Sequence, residues 1–508
     1  MHHAPAPSID EIIALTRTQL TVSRDDAIRS CGPAALALLP NNPDAALQLA
    51  YQKLHDVPYK DVKTCWRRLY TEAALWKVLR ILESRTNSGL AEETAKPSCE
   101  DEQDNDDNVE KQGLDWMTQV VKTLDMALIL TGAPKREELV ELLFSALEDE
   151  LEKTSRECVS FEPPQKRRKL ETNDKPSQQS SQIPDTFPST INLPPELRIA
   201  IPRFTAPSLE AFQKRIARPE TQIPIIIEGA IDFWPALGER SWNKPSYLLS
   251  HTLGGRRLVP VEIGRSYTDE SWGQKILSFR EFMGTFMFKS PSPILETNKS
   301  TNGSAEKSPT TDQLPQTGYL AQHDLFAQIP SLRADISIPD YCYSDPPLST
   351  PSNVKPLPKL EDPLLNAWFG PAGTISPLHT DPYHNILAQL VGYKYIRLYA
   401  PNQTEKLHPR GIDENGIDMS NTSQVDLNEA FSLVPELSPW SNREGRAGEE
   451  TDADGVSKKE FEERFPEFRD AEYVEGVLGP GDLLYIPVGW WHYVTSLTPS
   501  FSVSFWFN

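Results

Sequence analysis

At 508 residues the chain is too long for one compact domain, and a hydrophobic fraction of 38% beside 45 prolines implies folded cores separated by open stretches. A net charge of −21 argues against nucleic-acid binding through the surface as a whole, and no direct sequence-specific nucleic-acid contact is expected. The five scattered cysteines (Cys31, Cys65, Cys99, Cys158, Cys342) form neither a disulfide framework nor a C-x-x-C zinc pattern, which suits a reducing compartment.

Residues 1–155 read as a helical domain. Ser8 and Glu11 have capping-box spacing ahead of Ile12 and Ile13. In CWRRLYTEAALWKVLRILES, Trp66, Leu69, Tyr70, Ala73, Trp76, Leu79 and Leu82 recur at three- and four-residue steps, which makes one apolar helix face. LVELLFSALEDELEK repeats the pattern, and the acidic stretch at about 86–112 between them has no apolar period and reads as a loop. From 156 to 195 the chain is Pro-, Ser- and Gln-rich, a disordered linker by composition. It carries the basic run Lys166–Lys169, of the kind read as a nuclear-import address, so the nucleus is the expected location, with the cytoplasm as the other. The start shows no basic run leading into an apolar one, and runs such as IPIIIEGAI are too short to span a bilayer, so no membrane partner is expected.

Residues 196–508 change character. Short β-branched and aromatic runs alternate with Gly/Pro turns, the signature of a sandwich or barrel, with polar inserts at about 290–316, 344–358 and 440–458. Within SPLHTDPYHN, strand periodicity puts His379 and Asp381 on one face with Thr380 turned away. An imidazole and a carboxylate so placed are two-thirds of the 2-His-1-carboxylate set that binds non-haem Fe(II). His492, in GDLLYIPVGWWHYV, is the better third ligand, because in a closed double-stranded β-helix a late strand lies beside an early one. His384 stands an odd number of steps from Asp381 and drops out. Lys394 shares a strand face with Ile396 and Leu398, so an ammonium is directed inward and calls for an acidic partner such as a dicarboxylate. Asn385 would serve the other end of such a ligand, and Ser502, Ser504 and Trp506, which alternate along the last strand, would wall the cavity.

These motifs together, WFGPAGTISPLHTDPYHNILAQLVGYKYIRLY, NTSQVD and GPGDLLYIPVGWWHYV with the terminal FSVSFWF, resemble the JmjC family of 2-oxoglutarate oxygenases. The likeness covers about 196–508, and the helical half fits one small branch of that family more loosely. It implies an α+β chain: an all-helical N-terminal domain and a double-stranded β-helix (cupin-like jelly roll) with flanking helices. It implies Fe(II) on His379, Asp381 and His492, with 2-oxoglutarate and O2 as cosubstrates. Lys394, Ser376 and Tyr319 would hold the distal carboxylate of 2-oxoglutarate, and Asn385 and Trp506 its other contacts. By the same resemblance Glu262, Trp272 and Gln322 lie near the substrate side chain. A carboxylate beside an indole suits a planar guanidinium. The expected activity is therefore hydroxylation of a protein arginine. Demethylation of a methyl-lysine, as on a histone, is the alternative, and a catalytically silent nuclear binding module is the alternative of another class.

Overall fold

In a computed structural model of the chain, residues 6–92, 115–160, 183–288, 317–347, 354–440 and 457–508 are described, except positions 219, 267, 269–271, 356 and 414–415. They divide into two compact units, residues 1–180 with 252–258, and residues 181–251 with 259–508.

The first unit is built from α1 (Ile9–Gln19), α2 (Pro33–Asn41), α3 (Pro43–His55), α4 (Thr64–Glu92), α5 (Asp115–Thr131) and α6 (Glu137–Ser160). The Ser8 hydroxyl accepts the Glu11 N–H at 3.3 Å, and the Glu11 carboxylate accepts the Ser8 N–H at 2.8 Å, so α1 begins in a full capping box. On α4, Leu69, Tyr70, Ala73, Leu79 and Leu82 are buried, with Trp66 and Trp76 packed at the margin of the core. Residues 86–92, expected to open a loop, are helical: α4 continues to Glu92, after Arg85 on its last turns pairs with Glu150 of α6. Most of that acidic stretch lies outside the described residues. Inside the unit, the Arg68 guanidinium sits between Asp26 at 2.9 Å and Glu72 at 2.6 Å, and Arg136 reaches Glu72 at 2.7 Å. Each buried charge thus has an opposite partner.

The second unit contains β1 (Arg203–Thr205), β2 (Ile225–Glu228), β3 (Leu258–Ile263), β4 (Gly273–Ser278), β5 (Gly318–His323), β6 (Leu364–Gly370), β7 (Ile375–His379), β8 (His384–Val391), β9 (Lys394–Tyr399), β10 (Tyr473–Leu478), β11 (Leu483–Ile486), β12 (Trp491–Ser496) and β13 (Ser500–Phe507). A large sheet has the order β1-β2-β11-β8-β13-β6-β5-β3-β4, and a small one β10-β9-β12-β7. Leu387, Leu484 and Ile486 of the large sheet meet Ile396, Leu398 and Val494 of the small sheet in one apolar cluster, the interior of a double-stranded β-helix. The opposite faces bury separate cores, with Ala388, Val503 and Phe505 behind the large sheet and Tyr395, Tyr399 and Tyr493 behind the small one. Period-two alternation fixes all of this, because each strand serves an interior on one side and a helical or looped cover on the other.

Near the end of the expected linker one residue is anchored. Phe187 is 2% exposed, lies 5.7 Å from the Phe369 ring centre and donates its N–H to the Asn243 carbonyl at 3.0 Å. One aromatic among prolines thus joins the core, while Ile183 and Leu193 on either side of it stay exposed. The inserts at 290–316 and 440–458 fall almost wholly outside the described residues. At the start of the insert at 344–358, Ser344 is buried and the Asp345 N–H donates to the Gln213 side-chain oxygen at 2.7 Å. Among the described residues no helix is long and apolar enough to cross a membrane.

Candidate active site

β7 and β12 pair antiparallel, with His379 directly opposite His492. Strand β7 ends at His379, so Asp381 lies just beyond it and is still turned to the same side. The His379 Nδ1–H donates to the Pro377 carbonyl at 2.7 Å, and the His492 Nδ1–H to the Trp490 carbonyl at 3.1 Å. Each backbone bond fixes the tautomer and leaves a bare Nε2. The two Nε2 atoms address opposite oxygens of Asp381, at 3.7 Å and 3.6 Å. Ligand-capable atoms of all three residues lie within 4.8 Å of one another, close enough for one ion to touch all three. Burial holds the His492 pKa down at about 4, with the neighbouring His379 adding to the effect, so the ring is neutral as a ligand must be.

Lys394 faces inward at the far end of β9, with Ile396 and Leu398 on its side and Tyr395 and Tyr399 on the other. It is 2% exposed, and its Nζ donates to the Tyr319 hydroxyl at 3.2 Å. Burial lowers its pKa to about 7. Ser376 lies beside the Tyr319 hydroxyl and lowers its pKa against the raising effect of burial. Strict alternation would turn Ser376 away from His379. A β-bulge prevents this: across from β12, Pro377 and Leu378 occupy the space of one residue, so His379 and Ser376 share the interior face while Leu378 joins the outer core.

On β8 and β13, Asn385 and Trp506 are direct cross-strand partners. Asn385 Oδ1 and Trp506 Nε1 are both buried and have no hydrogen-bond partner among the described residues. Native cores rarely leave a buried N–H such as that of the indole unpaired, so a ligand that brings an acceptor is called for. An oxygen-rich dicarboxylate fits, because it offers an acceptor to the indole N–H and a counter-charge to the Lys394 ammonium.

Glu262 of β3 stands directly opposite Tyr319 of β5. Trp272 donates its indole N–H to the Glu262 carboxylate at 3.4 Å. Burial raises the Glu262 pKa against the lowering effect of that hydrogen bond. Gln322 is exposed at φ +47, and a second bulge between Leu320 and His323 returns it to the face of Tyr319. It is therefore more open to solvent than Glu262 and Trp272, which are half-buried.

His384 lies outside the metal-capable group. It is buried on the outer face of β8, where its ring stacks on Tyr485 and touches Phe507. His323 bonds Gln328 at 2.7 Å and His251 bonds the Tyr247 carbonyl, both away from the site.

Two inward residues of β6 escaped the sequence reading. Trp368, whose ring centre is 6.1 Å from that of Tyr319, donates its N–H to Ser504 at 3.0 Å, and Asn366 sits opposite Ser504. The alternation in NAWFG pairs them on one face, but only the β6–β13 register shows that this face is the interior.

The Cupin-like domain family profile matches residues 210–508. The chain is 33% identical to "Lysine-specific demethylase 8" of Danio rerio over 91% of its length and 86% of the relative's. Its similarity to "Lysine-specific demethylase 8" of Xenopus tropicalis is 40% identity over 61% of this chain and 53% of that one. With "Jumonji C domain-containing protein 5" of Drosophila melanogaster the identity is 38%, over 61% of this chain and 60% of the relative. The chain therefore spans most of the fish protein but little more than half of the frog and fly ones.

Proposed function

The chain belongs to the JmjC family of cupin-like, Fe(II)- and 2-oxoglutarate-dependent oxygenases, and from that premise we propose that it hydroxylates an arginine side chain of a protein substrate. His379, Asp381 and His492 would hold the iron. Lys394, Tyr319 and Ser376 would hold the distal carboxylate of 2-oxoglutarate, with Asn385 and Trp506 on its remaining polar atoms. Bound together, iron, 2-oxoglutarate and O2 supply the oxidising power, and 2-oxoglutarate leaves as succinate and CO2. What the protein adds is position: two histidines locked by backbone carbonyls, a buried amine that orients the cosubstrate, and apolar walls that exclude water.

The observation that carries the arginine reading is the Glu262–Trp272 pair beside Tyr319. Glu262 is a carboxylate made costly by burial, and a guanidinium would relieve that cost through a forked ion pair while lying flat on the indole. Demethylation of lysine is the second reading, supported by the names of the fish and frog relatives. The basic run Lys166–Lys169, outside the described residues, supports action in the nucleus, and its replacement by alanines should leave the protein cytoplasmic.

Full-length protein should be incubated with Fe(II), ascorbate, 2-oxoglutarate and panels of arginine and methyl-lysine peptides. A gain of one oxygen on arginine, absent in His379→Ala, is the expected result. Loss of a methyl group from lysine, with arginine untouched, would overturn the proposal in favour of demethylation.

A further inference from the structure

His384 is a buried ionisable group that the reaction does not use. It is 3% exposed, and burial lowers its pKa to about 4, so the ring is neutral. Its Nδ1 lies 3.3 Å from the Val488 N–H and 3.0 Å from the Tyr485 hydroxyl. A backbone N–H can only donate, so Nδ1 is the bare nitrogen and the ring proton sits on Nε2. Val488 begins the bend of a tight turn that leads into β12. The Trp490 N–H closes that turn on the Pro487 carbonyl at 3.2 Å, and Gly489 supplies the positive φ of +77 that its third position needs. The Trp490 carbonyl at the end of this turn is the acceptor that fixes the His492 ring. An unbroken path therefore runs from His384 through Val488 and the turn to the orientation of a ligand histidine.

We infer that His384 is a positioning residue for the metal site: its Nδ1 clamps the Pro487–Trp490 turn and thereby aims His492 Nε2 at Asp381. The inference rests on the reading of His379, Asp381 and His492 as the metal ligands. The Tyr485 hydroxyl shares the same lone pair but lies before the turn, on β11, so it does not transmit the effect. Outer partners that orient a metal-bound histidine are worth about 10–100-fold in metal affinity, and a clamp one turn removed belongs at the lower end of that range.

The test is Co(II) titration of metal-free full-length protein, read by visible absorption, in five variants and the wild type. His384→Leu removes the acceptor and keeps the bulk. Val488→Pro removes the donor and leaves His384 in place, at a turn position where proline is well accommodated. Each should weaken Co(II) binding about tenfold. The double variant should lose no more than the worse single one, because both cut the same bond. His384→Asn, which keeps an oxygen near the position of Nδ1, should recover most of the affinity. Wild-type Co(II) affinity in a folded Val488→Pro protein would overturn the inference even if His384→Leu failed to fold, and so would additive losses in the double variant. A His492→Ala control separates the two levels of argument. If it binds Co(II) as tightly as wild type, the ligand assignment itself is wrong. If it does not, while Val488→Pro binds normally, only the role of His384 fails.

Discussion

The buried amine of Lys394 makes 2-oxoglutarate binding a proton-coupled event. Burial brings its pKa from the ordinary 10.5 to about 7, which corresponds to about 5 kcal/mol of penalty on the ammonium relative to the free amine. The polar group that meets it is the Tyr319 hydroxyl, which offers no charge. A dicarboxylate placed there would restore the ammonium. At pH 8 an amine with a pKa of about 7 is roughly nine-tenths neutral, so binding should take up roughly 0.9 proton. The dissociation constant should then rise about tenfold per pH unit above pH 7 and level off below it. His384 and His492, both held near 4, stay neutral throughout and add nothing to this slope. The assay is anaerobic calorimetry of 2-oxoglutarate binding to the Fe(II) protein in buffers of different ionisation enthalpy between pH 6 and 9. Lys394→Met should lose affinity and the pH slope together.

The same substitution carries an opposite prediction for stability. With the folded pKa below the unfolded one, the unfolded chain binds the extra proton between about pH 7 and 10.5. Stability of the ligand-free protein therefore rises with pH across that window, and the penalty is complete below it. Lys394→Met should stabilise the ligand-free protein below pH 7 by up to about 5 kcal/mol, and the gain should fade towards pH 10.5. A flat binding profile with no proton uptake, or a Lys394→Met protein less stable at pH 6 than wild type, would refute the reasoning.

Three further outcomes are expected. Glu262→Gln keeps the shape and the Trp272 hydrogen bond but removes the charge, so the KM for an arginine peptide should rise about 10- to 100-fold while 2-oxoglutarate affinity holds, and an unchanged KM would remove Glu262 from the substrate contacts. Phe187→Ala should cost about 3–5 kcal/mol in denaturant unfolding of the second unit, whereas a residue of a free linker would cost nothing. Gly392, at φ +68, turns the chain from β8 into β9. A Cβ there would stand 2.0 Å from the Pro499 carbonyl oxygen, so Gly392→Ala should lose about 3 kcal/mol or more, and full stability would show that the turn can shift.

The parts of the site legible in the sequence are those governed by short-range alternation. Lys394 with Ile396 and Leu398, and Ser502 with Ser504 and Trp506, sit on shared faces that period two alone assigns, because the alternation runs without a break from Lys394 to Leu398 and from Ser502 to Trp506. The rest depends on register. Ser376 reaches the Tyr319 hydroxyl only because the bulge at Pro377 and Leu378 resets the alternation, and no local pattern announces a bulge. Glu262 is an ordinary strand carboxylate until β3 is laid against β5 and Tyr319 becomes its neighbour, a pairing that spans more than fifty residues and an insert. Phe187 was hidden by its composition, since prolines and serines around it outweighed one ring whose partner, Phe369, lies far along the chain.

His384 shows why such non-local pairing matters for function as well as for fold. In the sequence it is the surplus histidine of DPYHN, three residues from a ligand and on the wrong face to be one. The register of β8 against β11 and β13 turns that wrong face into a position behind the barrel wall, where Tyr485 and Phe507 bury the ring and Val488 comes within hydrogen-bonding reach. A residue excluded from coordination by strand parity is, by the same parity, the one placed to hold the loop of the distant ligand. Parity thus divides the strand between two tasks: Asn385 faces the cavity, where its side-chain amide is open to a ligand, while His384 faces the core and has its bare nitrogen already filled.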